Sequence, residues 1–177
     1  LEFRRVLFRS GLAAAYAAAL SDAPPIAAVV GFYERLDGTL HNSVAYVQLD
    51  GGTARVLHVH RKNFLPTYGM FDEERFVERG FGVRAFDTPW GRAAMLVCED
   101  AWHSMTGLIA ALDGAQIVFV SSAAPARGAF EREDGDSVPA TVARWTRLIR
   151  DIAEEHGIFV TLANLVGSEG GKMFQGS

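Results

Sequence analysis

Cysteine is almost missing from this 177-residue chain, Cys98 being the only one. A lone thiol excludes an internal disulfide framework and any zinc site built on several cysteines, and it fits a reducing compartment, so a cytoplasmic location is expected. Lysine is nearly missing too: of 17 basic residues only Lys62 and Lys172 are lysines, and the rest are arginines. There is no excess of positive charge, the formal net charge being −4. That balance, without a basic patch, argues against a nucleic-acid partner. No apolar run approaches the about 18 residues of a membrane-spanning helix, and no membrane partner is expected.

What is present is enough apolar material for a core. Hydrophobic residues make up 49% of the chain and charged residues 21%, with a mean hydropathy of +0.10. That is too apolar for a disordered chain, and the length suits one domain. The two ends look unlike those of a complete protein. The chain does not begin with Met, and it stops at Gly176-Ser177 just after a strand or hairpin segment. Residues 1–10 read LEFRRVLFRS, apolar and basic with no sustained periodicity. Back-translated as CTG GAG TTC AGA CGT GTG CTC TTC CGA TCT, they match a widely used short-read sequencing adapter. Residues 1–10 are therefore expected to be an adapter artefact, and residues 11–177 a partial domain open at both ends. Setting aside Glu2, Arg4, Arg5 and Arg9 leaves 14 basic and 20 acidic residues, a balance of −6.

Along the chain, residues 11–22 are alanine-rich and predict a helix stopped by Pro24-Pro25. Residues 26–33 (IAAVVGFY) read as a buried strand, and residues 42–49 (NSVAYVQL) alternate as a strand. Residues 54–60 form another, with turns at Asp37-Gly38 and Asp50-Gly51-Gly52. Residues 63–69 are a loop, and residues 72–78 predict a short polar helix capped by Asp72. Residues 83–87 and 92–97 read as strands about a Thr88-Pro89-Trp90-Gly91 turn. A helix over 101–112 and a very apolar strand over 116–120 follow, then a loop with an acidic run at 131–136. An amphipathic helix over 138–155 ends at His156-Gly157, and a last strand covers 158–163. Strands and helices alternating in the second half indicate an α/β layered domain.

Several side chains could carry chemistry. Cys98 ends an apolar strand and precedes a helix, where free backbone N–H groups can hold an oxyanion and a helix N-terminus favours a thiolate. The alternative is an inert buried cysteine. Lys62 follows an apolar strand among aromatic neighbours and could act as a fixed charge for an oxyanion, or else reach solvent. Glu73 and Glu74 are acid/base candidates near the start of a helix, or else solvated surface carboxylates. His58 and His60 share a strand face, but no third ligand of suitable spacing accompanies them, so no metal is expected. His103 lies five residues past Cys98, about one and a half helical turns, which aims the two apart. Glu169-Gly170-Gly171-Lys172 lacks the spacing and following helix of a phosphate loop, and Gly80-Phe81-Gly82 is no nucleotide-binding turn.

Together these segments resemble the nitrilase (carbon–nitrogen hydrolase) superfamily over roughly residues 11–177. Val29-Val30-Gly31-Phe32-Tyr33-Glu34 with Asn42-Ser43 is similar to its strand and turn before the lysine. Arg61-Lys62-Asn63-Phe64-Leu65-Pro66-Thr67-Tyr68-Gly69-Met70-Phe71-Asp72-Glu73 resembles its lysine loop. Residues 91–97, then Cys98-Glu99-Asp100-Ala101-Trp102, resemble its nucleophile strand and elbow. Ala163-Asn164-Leu165-Val166-Gly167 and Gly176-Ser177 are similar to its later strand and turn. Within the superfamily, the lysine loop and the elbow look most like the glutamine-hydrolysing domain of glutamine-dependent NAD synthetases and like bacterial amidases.

The resemblance implies an αββα sandwich, here incomplete at both ends, and a Glu-Lys-Cys triad. It implies that Cys98 is the nucleophile and forms a thioester. Lys62 and the Glu99 backbone N–H would stabilise the tetrahedral intermediate, Glu73 would position substrate or the lysine, and Trp102 would lie near substrate. The substrate would be a small-molecule amide or nitrile, no cofactor or metal would be needed, and the full-length protein would be a homo-oligomer. The general-base Glu of the family lies on an early strand upstream of the lysine, and here that strand would precede Gly11. Glu34 occupies a different position and is not that base. The polypeptide is thus expected to carry two of three triad members and to have little or no amidase activity. The competing readings are a glutamine-hydrolysing domain fragment of an NAD synthetase and a non-catalytic remnant.

Overall fold

The computed structural model describes residues 11, 14–16, 18–19, 24–128, 130–131 and 137–176. The expected adapter segment, residues 1–10, lies outside the described residues, as do residues 132–136 of the acidic run. Residues 11, 14–16, 18 and 19 are helical, within the alanine-rich stretch where a helix was expected. The chain divides into two compact units that part between Gly82 and Val83.

In the first unit, β1 (Ile26–Leu36), β2 (Thr39–Asp50) and β3 (Thr53–Arg61) form an antiparallel sheet in that order. Both hairpins turn through paired residues of positive φ, Asp37 (48°) with Gly38 (87°) and Gly51 (51°) with Gly52 (78°). Two such residues in succession match the twist of the flanking strands, which is why Asp-Gly and Gly-Gly stand there. β1 runs past its apolar stretch because hairpin pairing carries the ladder on through Glu34↔His41 to Leu36↔Thr39. β2 is the middle strand, and its residues 43–47 are all buried. Ala45, Val47 and Leu49 pack with Tyr16, Ala28, Phe32 and Val59 on one face. Val44 and Tyr46 are buried on the other, paired with His60 and His58.

Beyond β3 the Lys62 N–H donates to the Asn42 carbonyl at 2.9 Å, and the Gly80 N–H donates to the Lys62 carbonyl at 2.8 Å. Only glycine permits that approach, since a Cβ at position 80 would collide with the Arg61 backbone. The polar helix expected over 72–78 is instead a single 3-10 turn, Glu73–Arg75, and Asp72 makes no side-chain cap bond. Phe76 and Val77 both donate to the Glu73 carbonyl, and the Glu78 N–H goes to Leu40 of β2. Pairing with the sheet thus takes the donor that a longer helix would have used.

In the second unit β4 (Phe86–Thr88), β5 (Gly91–Val97), β6 (Ile117–Ser122) and β9 (Phe159–Asn164) form one sheet in the order β4-β5-β6-β9. β5, β6 and β9 are parallel, and β4 runs antiparallel at the edge. Helix α1 (Ser104–Leu112) joins β5 to β6, and α2 (Ala140–His156) lies between β6 and β9. The remaining strands make two short hairpins, β7 (Phe130–Glu131) with β8 (Ser137–Val138) and β10 (Val166–Glu169) with β11 (Lys172–Gln175). Residues 93–97 are buried without a break, the pattern of a parallel strand covered on both faces. Ala94, Leu96, Val118 and Val120 pack against Ala110 of α1 and against Trp145 and Ile152 of α2. The helices meet at Gly107, where a Cβ would stand 3.2 Å from His156 and 3.3 Å from Ile152. α2 stops at Gly157 with φ 64°, the terminus that His156-Gly157 predicts.

Two expectations are corrected here. The helix expected over 101–112 is two pieces, a 3-10 helix over Cys98–Trp102 and then α1 from Ser104, with His103 extended between them. The buried Thr106 hydroxyl holds this break, within 2.7 Å of the Asp100 carbonyl and 2.8 Å of the His103 carbonyl. The strand expected over 83–87 shrinks to Phe86–Thr88 because the Asp113 carboxylate takes the Ala85 N–H at 2.8 Å.

Candidate active site

The lysine loop lies wholly in the first unit. Lys62 is 1% exposed, and its Nζ donates to Glu73 Oε2 at 2.7 Å, so this lysine does not reach solvent. Glu73 is delivered by the loop itself, its N–H donating to the Pro66 carbonyl at 3.1 Å. Asn63 secures the far end, its Oδ1 accepting the Gly82 N–H at 2.9 Å. The structure therefore brings together Lys62 and Glu73 of the expected site residues. Glu74 is turned to an exposed ion pair with Arg79.

On the residue before Lys62, Arg61 ion-pairs with the buried Glu34, Nη2 donating to Oε1 at 2.8 Å and Nε lying 2.7 Å from Oε2. Ser43 Oγ donates to the same carboxylate at 3.1 Å. Glu34 thus ties the end of β3 to β1 and β2. His58 and His60 point to the other face of β3. Burial above all, then His60 and Arg61, holds the His58 imidazole below its ordinary value. Among the described residues, no three His, Cys, Asp or Glu side chains converge to hold a metal ion.

The cysteine elbow lies in the second unit, at the carboxyl ends of the parallel strands. Cys98 follows the last residue of β5 and has φ 47°. Among the described residues only Asp37 is another non-glycine with positive φ, and Asp37 sits in a hairpin turn where that geometry is routine. At Cys98 the left-handed backbone turns the chain sharply out of the strand and leaves the thiol half-buried. The turn is braced by Asp100, whose wholly buried carboxylate accepts the Val97 N–H at 3.1 Å. Ser122, at the end of β6, donates from Oγ to Cys98 Sγ at 3.4 Å. Asn164, at the end of β9, clamps Ala124 through both amide atoms, at 2.8 and 3.2 Å.

Of the remaining site expectations, Glu99 and Trp102 both belong to the 3-10 turn after Cys98. The Glu99 carboxylate lies 3.8 Å from His103 Nε2. Trp102 is 41% exposed and packs edge-on against Trp145, ring centres 5.1 Å apart. Sequence reasoning did not single out Asp100, Ser122 or Asn164. Asp100 carried a signal, an acidic residue two positions past the cysteine. Asn164 stood in the segment that resembles the family's later strand, and Ser122 carried only its place at the end of an apolar strand.

A cysteine turned out of one parallel strand, with polar residues ending the next two, is the arrangement of α/β enzymes that bind ligands at the carboxyl ends of their strands. The chain belongs to the carbon–nitrogen hydrolase family, whose model matches residues 12–177. It is 32% identical over 155 residues to the glutamine-dependent NAD(+) synthetase of Xylella fastidiosa, covering 86% of this chain and 26% of that protein. It is 27% identical to the N-carbamoylputrescine amidase of Solanum lycopersicum, covering 79% of this chain and 44% of that one. Among solved structures, a carbon–nitrogen hydrolase from Helicobacter pylori G27 matches with TM-score 0.75 and 25% identity, over 99% of this chain and 58% of its own. The fold is thus of the nitrilase type that the motifs implied. The chain spans about a quarter of the synthetase and under half of the amidase.

Proposed function

We propose that this domain hydrolyses a non-peptide carbon–nitrogen bond of a small amide or nitrile through a thioester on Cys98. The observation that carries the reading is the Cys98 elbow, a strained left-handed backbone with a hydrogen-bond donor aimed at its sulfur. Strain of this kind persists where the surrounding structure over-determines it, and it gathers at functional sites. In the reaction, Cys98 Sγ attacks the carbonyl carbon of an amide and the C–N bond breaks. Ammonia or an amine leaves with the thiol's proton. Water then attacks the thioester, releasing a carboxylic acid and restoring the thiol. Lys62 supplies positive charge to the oxyanion of the tetrahedral intermediate, together with the Glu99 N–H, and Glu73 holds the lysine. Trp102 lies by the substrate.

The general base of the family is assigned to none of the described glutamates. Turnover of an amide by these 177 residues alone is accordingly expected to be slow. The first test is therefore acylation, which an activated ester drives without a base. The protein is treated with 4-nitrophenyl acetate and its intact mass is recorded. One acetyl group on Cys98, missing from Cys98→Ala, is the expected result; acetylation elsewhere with Cys98 unmodified would overturn the assignment.

On this reading the substrate is a small amide or nitrile, as for a stand-alone enzyme of the family. The 32% identity to an NAD synthetase favours a second reading, in which the domain hydrolyses glutamine and passes on its ammonia. Offering glutamine and simple aliphatic amides in parallel, and following ammonia release, separates the two. A cytoplasmic setting suits a chain whose one thiol works as a nucleophile.

A further inference from the structure

We infer that Ser122 is a catalytic residue of this site, its hydroxyl stabilising the Cys98 thiolate both as nucleophile and as leaving group. The inference rests on the reading of Cys98 as the nucleophile and extends it to a residue that no motif marked.

The sheet register puts the two residues side by side. Val97 of β5 pairs with Ser121 of β6, so the next step along both parallel strands sets Cys98 beside Ser122. Cys98 leaves the strand there in the left-handed conformation, and its sulfur lies 3.4 Å from Ser122 Oγ, within hydrogen-bond range for sulfur. The hydroxyl is the donor in this contact.

Ser122 is also held still. Its carbonyl accepts the Leu165 N–H at 3.0 Å, and its Cα pairs with Asn164 of β9. Two residues on, Asn164 fixes both the N–H and the carbonyl of Ala124. The donor is bonded on both flanks before any substrate arrives. It therefore costs little ordering at the moment of reaction, the condition under which an oriented dipole is most effective.

A hydrogen bond to an ionised acceptor favours the ionised form and is about twice as strong as a neutral one. Ser122 transfers no proton. Its O–H bond stays intact while the sulfur gives up its electron pair to carbon in acylation and takes it back when water displaces the acyl group. Thioester sulfur is a poorer acceptor than thiolate, so the contact stabilises the states at the two ends of the cycle.

The test is alkylation of Cys98 by iodoacetamide as a function of pH, on the full 177-residue chain and on Ser122→Ala, Ser122→Thr and Ser121→Ala, with a small free thiol alongside. Thermal melts confirm that each variant is folded. Ser122→Ala is expected to slow alkylation at neutral pH about tenfold and to move the rate profile to higher pH. Ser122→Thr keeps the hydroxyl and should restore most of the rate, which a purely structural role would not require. Ser121→Ala should leave the rate unchanged. A Ser122→Ala profile superposing on the parent's, with parent Cys98 reacting faster than the free thiol, overturns this inference alone. A parent rate no higher than that of the free thiol overturns the nucleophile assignment and this inference with it.

Discussion

Lys62 Nζ stands 2.7 Å from Glu73 Oε2, a contact between residues set on a strand end and on a separate 3-10 turn. The lysine is 1% exposed and the glutamate side chain 24%, so among the described residues it is this carboxylate that offsets the desolvation of the ammonium. A buried charge stripped of its partner is costly, whereas replacing both partners by apolar groups is often close to neutral. The pair thus holds the buried lysine in place on the loop.

Glu73→Leu should destabilise the fold by about 2–3 kcal/mol, and adding Lys62→Met should recover most of the loss. Urea denaturation of the two single variants and the double variant, treated as a cycle, reads the coupling directly. Single variants that lie within about 0.5 kcal/mol of the parent would show that the contact carries no weight.

The backbone at Cys98 inverts the usual order of alanine and glycine. In a strand or helix, glycine is the less stable by about 0.5–1 kcal/mol, but at φ 47° the Cβ is the source of strain. Both Cys98→Ala and Cys98→Gly lose the thiol and its contact with Ser122, so their difference isolates the backbone. Cys98→Gly should unfold at the higher temperature of the two. The reverse order would mean that the elbow is not strained in solution.

His58 should make the protein acid-sensitive. Burial, then His60 and Arg61, lowers its folded-state value below the 6.5 of the free side chain. The unfolded chain therefore takes up the proton first as the pH drops. The contribution is present in full above 6.5 and is lost as the pH falls from there through the folded-state value. Urea midpoints measured between about pH 7.5 and pH 5 should decline in the parent and decline less in His58→Gln. Equal slopes in the two proteins would remove His58 as the cause.

Much of this was legible along the chain because local chemistry decides it. Asp37-Gly38 and Gly51-Gly52 had to be hairpin turns, since few other residue pairs tolerate two consecutive positive φ values. His156-Gly157 had to end a helix for the same steric reason. The motifs around Lys62, Glu73 and Cys98 were readable as motifs. Where local pattern competes with distant partners it fails. The helix expected after Asp72 gives way because Leu40 of β2 claims the Glu78 N–H. The helix expected from Ala101 breaks at His103, where Thr106 holds two carbonyls in a tight turn.

The same division holds for the site. The chain by itself determined which side chains could do chemistry: one thiol, one lysine on an aromatic loop, and a glutamate eleven residues further on. It could not determine their company. Ser122 reaches the Cys98 sulfur only because two parallel strands share a register, and Glu34 meets Arg61 only across the sheet. Neither pairing leaves a spacing in the sequence, because registers and burial are settled by packing the whole unit. Composition could count a single cysteine. Only the tertiary structure gave it a left-handed backbone, a braced turn and a hydrogen-bond donor at its sulfur.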